Sequence, residues 1–96
     1  MKRRIAYKFR LYVAGEAQNS AQAVANLKAL CRGHLADRHE IEIVDVYREP
    51  TRALEDGIMM TPTLIKLTPT PVRRIVGSLA QMQPLLLALG LEAVAA

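Results

Sequence analysis

The chain has 96 residues, of which 51% are hydrophobic and only 4% aromatic, and it carries a formal net charge of +4 at pH 7. That length fits one compact domain with no room for a second, and the composition is that of a foldable chain with an interior of Leu, Ile, Val, Ala and Met. Cys31 is the only cysteine, which excludes an internal disulfide, a Cys-x-x-Cys redox pair and a cysteine zinc cluster, and predicts a reducing, cytoplasmic compartment.

The basic start Lys2, Arg3, Arg4 imitates the first part of a signal peptide, but Lys8 and Arg10 interrupt the apolar stretch that should follow. It reads instead as a strand. Ile5, Tyr7, Phe9, Leu11 and Val13 alternate with Ala6, Lys8, Arg10 and Tyr12, the period of two of a strand with one buried face. A polar loop from Glu16 leads to a helix capped at Asn19 or Ser20, with Val24, Leu27, Leu30, Cys31 and Leu35 on one face. The β-branched run Ile41 to Val46 predicts a second, more central strand.

Pro50 suits the first turn of a short helix over 51–56, and Gly57 a left-handed stop after it. Pro62 must open the third strand or sit at its irregular start, because proline cannot donate to an interior ladder. Thr68-Pro-Thr-Pro71 is a rigid turn before a returning strand, Val72 to Gly77. A last helix is expected over 78–89, with Leu79, Met82, Leu85, Leu86 and Leu89 on its apolar side and Pro84 in its first turn. The apolar end, Leu85 to Ala96, is shorter than the ~20 residues that span a bilayer and contains Glu92, so no membrane segment is expected.

The order is β-α-β-α-β-β-α: a parallel pair from the first β-α-β unit, then a hairpin, which is the order of a thioredoxin-like α/β fold. Redox members of that fold place two cysteines where the first strand meets the first helix, but the segment Gly15 to Ser20 holds no thiol. Cys31 reads as a buried small hydrophobe. His34 and His39 lie in a polar turn with Asp37 and Arg38 and read as surface histidines, not metal ligands. Glu49, Glu55 and Asp56 read as solvated helix charges without a second group for acid/base work. Arg73 and Arg74 are neighbours on a strand and point to opposite faces, which weakens a nucleic-acid reading, as does the lack of interleaved aromatics. Thr61-Pro62 resembles the cis-proline position of thioredoxin-like proteins.

Three stretches together resemble the KaiB family of the bacterial circadian clock: Leu11 to Gly15 with Asn19-Ser20, Val44 to Val46 with Pro50, and Thr61 to Leu64 with Pro71 to Gly77. They run in the family's order over about residues 7 to 90, and the chain is identified on them as one KaiB-like domain, 1–96. The resemblance implies a non-enzymatic regulator without cofactor that docks on a KaiC-type ATPase, with a KaiB-like histidine kinase as competitor. It also implies a metamorphic domain that binds KaiC in its thioredoxin-like form and can rest as a tetramer with a rearranged C-terminal half.

On that basis Arg52, Glu55 and Gly57 are expected at the partner-binding surface, and Pro62, Pro71, Ala88 and Gly90 are expected to influence the fold state. Glu42 stands where the cyanobacterial pattern is basic, in a region that contacts KaiA, which argues against a KaiA partner. Gly57 replaces a family lysine, and the family's proline triplet is here Pro69-Thr70-Pro71. Ala88 and Gly90 stand where the pattern has glycine and then aspartate, which favours the helical ending and a monomer or dimer over a tetramer. Two alternatives remain from the residues: a thioredoxin-like redox protein, disfavoured by the missing thiol, and a basic nucleic-acid-associated factor supported by the sequence pI near 9.6 alone.

Overall fold

The computed structural model of the chain describes residues 6–91; the expected strand start at Ile5, the basic residues Lys2 to Arg4 and the end beyond Leu91 lie outside them. Seven elements follow in the expected order: β1 (Tyr7–Val13), α1 (Gln18–His34), β2 (His39–Asp45), α2 (Pro50–Glu55), β3 (Thr63–Thr68), β4 (Arg73–Val76) and α3 (Met82–Leu89). They build one four-stranded sheet in the order β2-β1-β3-β4. β1 runs parallel to β2, from Tyr7 opposite His39 to Val13 opposite Asp45, and antiparallel to β3. β3 and β4 form the hairpin, with Lys66 opposite Arg73 and Thr63 opposite Val76.

The strand order corrects the sequence reading: β2 is an edge and β1 is central. Leu11, Tyr12 and Val13 are buried in succession, so β1 is covered on both faces, whereas Ile43 of β2 is exposed. Helices explain the difference. On one face α1 and α3 cover Phe9, Leu11, Val13 and Leu64; on the other, Tyr12, Val44, Ala53 and Ile65 form a smaller cluster beneath α2. Tyr12 therefore does not share the solvated fate of Lys8. Each large apolar side chain withdrawn from water in these clusters contributes about 1.5–3 kcal/mol.

Two helix starts differ from expectation. α1 is preceded by Ala17 and has no side-chain cap. The Ser20 hydroxyl, buried, instead accepts the Ala14 amide at 3.0 Å and anchors the end of β1 to the helix. α3 begins only at Met82, with Pro84 in its first turn. Leu79 fills the core from the preceding loop with φ of 63°, and Met82 is exposed. Pro84 tolerates that place because its missing N–H would have no helical partner there.

α2 and α3 end the same way. Gly57 (φ 67°) donates to the Leu54 carbonyl at 3.0 Å while Ile58 donates to Ala53 at 2.8 Å. Gly90 (φ 74°) donates to Leu87 at 3.1 Å while Leu91 donates to Leu86 at 2.8 Å. Both are paired stops that use glycine's access to positive φ to satisfy the last carbonyls. Thr61-Pro62, Thr68-Pro69 and Thr70-Pro71 are cis.

A helix clasped to the sheet and its exposed apolar flank

α2 is six residues long, too short to hold its shape by backbone bonds alone, and it has no N-terminal side-chain cap. It is held from beneath. Ala53 is its buried residue and packs on Tyr12, Val44 and Ile65. The Tyr12 hydroxyl, at the bottom of this contact, lies 2.5 Å from an Asp56 carboxylate oxygen and 3.1 Å from the Arg52 carbonyl. Its proton serves these acceptors, and the phenol is pushed up to about 12 by burial and by its bond to Asp56.

A chain of charges surrounds that hydroxyl. Arg10 of β1 reaches Glu42 of β2 at 2.9 Å and Asp56 at 3.0 Å. The other Glu42 oxygen lies 2.7 Å from the Arg52 guanidinium, which also meets Glu49 at 3.4 Å. The bonds from Arg52 and Arg10 hold the Glu42 carboxyl at about 2. Asp56 is held below its ordinary range by the bond from Tyr12 and then by Arg10. Two strands and α2 are thereby tied into one network in which each carboxylate faces a donor.

The expected partner-binding residues fall on this helix with different surroundings. Arg52 is engaged in the network, Glu55 is exposed, and Gly57 forms the exposed helix stop. Asp56 and Glu49 are not the free surface charges the sequence suggested, since both accept from arginines. Glu42, singled out for its charge alone, is a structural centre. Sequence reasoning missed the apolar flank: Leu54 is 79%, Met59 93% and Met60 63% exposed, all on α2 or the segment after it. Its signal was present as three large apolar residues, Leu54, Met59 and Met60, around a glycine stop.

The other sequence-selected residues lie apart from α2. Pro62 is buried at the start of β3, Pro71 is exposed in the hairpin turn, and Ala88 and Gly90 are exposed on α3 and its stop. Cys31 is buried in the larger cluster, where burial pushes its thiol up to about 11. His34 is exposed as expected, but His39 is half-buried, its Nδ1–H donating to the Leu35 carbonyl at 2.8 Å. Among the described residues no group of three or more His, Cys, Asp or Glu is placed to hold a metal ion. No helix among them is long and apolar enough to cross a membrane.

The backbone is similar to thioredoxin-like structures: Fasciola hepatica thioredoxin matches with a TM-score of 0.72 at 13% identity, over 94% of this chain and 85% of that one. The N-terminal domain of SasA from Synechococcus elongatus matches with a TM-score of 0.70 at 17% identity, over 95% and 90%. In sequence, circadian clock protein KaiB3 of Synechocystis sp. is 45% identical over 80 residues, covering 83% of this chain and 78% of the relative. The circadian clock oscillator protein KaiB of Prochlorococcus marinus (strain MIT 9515) is 40% identical over 91 residues, covering 95% and 84%. A model of the KaiB domain matches residues 10–91, and with relatives of this similarity the chain belongs to the KaiB family.

Proposed function

We propose that the chain is a non-catalytic KaiB-type regulator that docks on a KaiC-like ATPase through α2 and the segment following it, in the cytoplasm. The observation that carries this reading is the exposed strip Leu54, Met59 and Met60 beside a helix fixed by the Arg10–Glu42–Arg52 network. Large exposed apolar groups on a preorganised element suit protein recognition. Glu55 and Gly57 lie within the same surface, and Arg52 supports it from its edge.

The test is pull-down of the host's KaiC homologues with ATP, ADP or no nucleotide. A complex lost with Glu55→Lys or Met59→Asp, both exposed positions that leave the core untouched, supports the surface. No complex under any of the three conditions overturns the partner. A KaiB-like histidine kinase is expected to compete for the same ATPase, whereas Glu42, committed to Arg10 and Arg52, does not favour a KaiA contact.

Thioredoxin-type redox chemistry is the second reading. A single buried thiol held largely protonated does not cycle a dithiol. Insulin disulfide reduction by the pure protein, abolished by Cys31→Ala, would revive that reading.

A further inference from the structure

Among the described residues the sheet ends at β4, whose four residues pair only with β3, so one row of its backbone donors and acceptors is left without a strand partner there. Arg73, Arg74 and Val76 are exposed along this edge, and neither arginine enters an ion pair among the described residues. Beside the end of β4, a groove of about 490 Å³ opens toward α3, lined mainly by apolar groups that include Ile75, Leu79, Pro84, Leu85 and Ala88. Among the described residues, a strand edge without a further strand, two guanidinium groups outside any ion pair and an adjoining apolar groove lie together, on the opposite edge of the sheet from β2.

We propose that the β4 edge is a second docking site, which takes an acidic extended segment of a partner protein as a fifth strand. Arginines on an edge strand also discourage uncontrolled pairing, but that role alone gives no reason for the groove beside them. The strand fixes the pattern of the occupant. Ile75 faces the α1 and α3 side with Arg73, while Arg74 and Val76 face the α2 side, as the register with Leu64 and Ile65 requires. An antiparallel segment therefore meets Val76, Ile75, Arg74 and Arg73 in turn. It presents two apolar residues followed by two acidic ones, the second apolar side chain entering the groove. Main-chain bonds supply the attachment, and alternate side chains the selection.

Charge decides between occupants. A second copy paired antiparallel through its own β4 would set Arg73 opposite Val76 and Arg74 opposite Ile75, crowding four guanidinium groups onto one short ladder with no acidic partner for any of them. An acidic strand neutralises them. On the α2 side the edge adjoins the first surface, since Arg74 and Val76 line a pocket with Gly57, Met59 and Met60. Arg73→Glu, on the α1 and α3 side, therefore separates the two readings, because it should weaken strand addition and leave docking through α2 untouched.

The test uses a fluorescein-labelled peptide of eight residues with the core Val-Ile-Glu-Glu, titrated at low salt and read by anisotropy and by backbone amide NMR. Saturable binding is expected, with shifts concentrated at Arg73 to Val76. Arg73→Glu with Arg74→Glu should weaken it by about tenfold or more, the scale of two lost surface ion pairs. An equal charge change on α1, Lys28→Glu with Arg32→Glu, should have little effect. Val76→Glu provides a second edge variant if the double one does not fold. N-methylating the peptide's Val and Ile amides should abolish binding, because one of the two adjacent N–H groups must point at β4 and donate to it, and a methyl group there blocks the ladder. The proposal is overturned by absent binding at millimolar peptide, or by equal binding of the N-methylated peptide. A dimer that dissociates on Val76→Glu would assign the edge to a second copy and overturn it too. So would a mixed single-stranded oligonucleotide that binds these arginines more tightly than the peptide.

Discussion

Tyr12 shows how much can depend on one polar tip. Its hydroxyl satisfies both the Arg52 carbonyl and Asp56, and the ring fills the floor beneath α2. Tyr12→Phe keeps the shape and removes the bonds, one of them to a charged group. Denaturant unfolding is expected to show a loss of about 1–3 kcal/mol, and amide exchange in α2 should quicken. The carboxylates set an acid limit. Glu42 has its pKa lowered to about 2, so the stability it contributes is complete above its ordinary value of 4.5 and is lost as pH falls toward 2. Asp56, also lowered, adds in the same direction. Glu42→Gln should therefore lower stability at neutral pH and flatten its acid dependence, measured as urea midpoint against pH. Tyr12 acts at the other end: its raised pKa gives a contribution complete below pH 10 that is lost as pH rises through about 12.

At the scale of elements, glycine stops were the most legible feature and strand placement the least. Gly57 and Gly90 were recognisable because a left-handed residue after an apolar helix run leaves few alternatives, and both adopt it. Gly57→Ala and Gly90→Ala meet open space at the added carbon, so their cost is conformational. Each should destabilise by about 1 kcal/mol in thermal or urea unfolding. β2 misled because a β-branched run was taken for a central strand. Its alternating Glu40 and Glu42 were the sign of an edge, where charge discourages further pairing. The period of two placed Tyr12 with Lys8 and Arg10 on β1 correctly, but period says nothing of which helix covers a face. Nor could spacing reveal the clasp, because Arg10, Glu42 and Asp56 meet only once β1, β2 and α2 are assembled. Leu79 was assigned to α3 because it keeps the helical spacing; it reaches the core from a loop.

For the whole molecule, the charge balance and the form of α3 bear on assembly. Ala88 inside α3 is worth about 0.5–1 kcal/mol over glycine, and Gly90 ends the helix without a nearby acidic residue in its last turn. A resting monomer or dimer with the β2-β1-β3-β4 order is the expected solution state. Size-exclusion chromatography with light scattering, joined to backbone shifts over 50–91, checks this; a stable tetramer lacking helical shifts between Gln81 and Leu89 would contradict it.

The central place of β1 has a consequence for how the molecule opens. β1, α1 and β2 close a ladder between neighbouring strands in the chain, whereas the only strand ladder that ties β3 and β4 to them is the β1–β3 seam, with α3 added through the core it shares with α1. That seam links Lys8 with Thr68 and Tyr12 with Thr63, so the loop it closes is long and its entropic cost is met only when the first unit is already in place. Native-state hydrogen exchange should then resolve two units: β3, β4 and α3 exchanging together at a lower opening free energy, and β1 with α1 and β2 persisting as a remnant that still buries Leu27 and Leu30. One shared opening energy across both would mean that the helix-side core, not the strand seam, governs cooperativity.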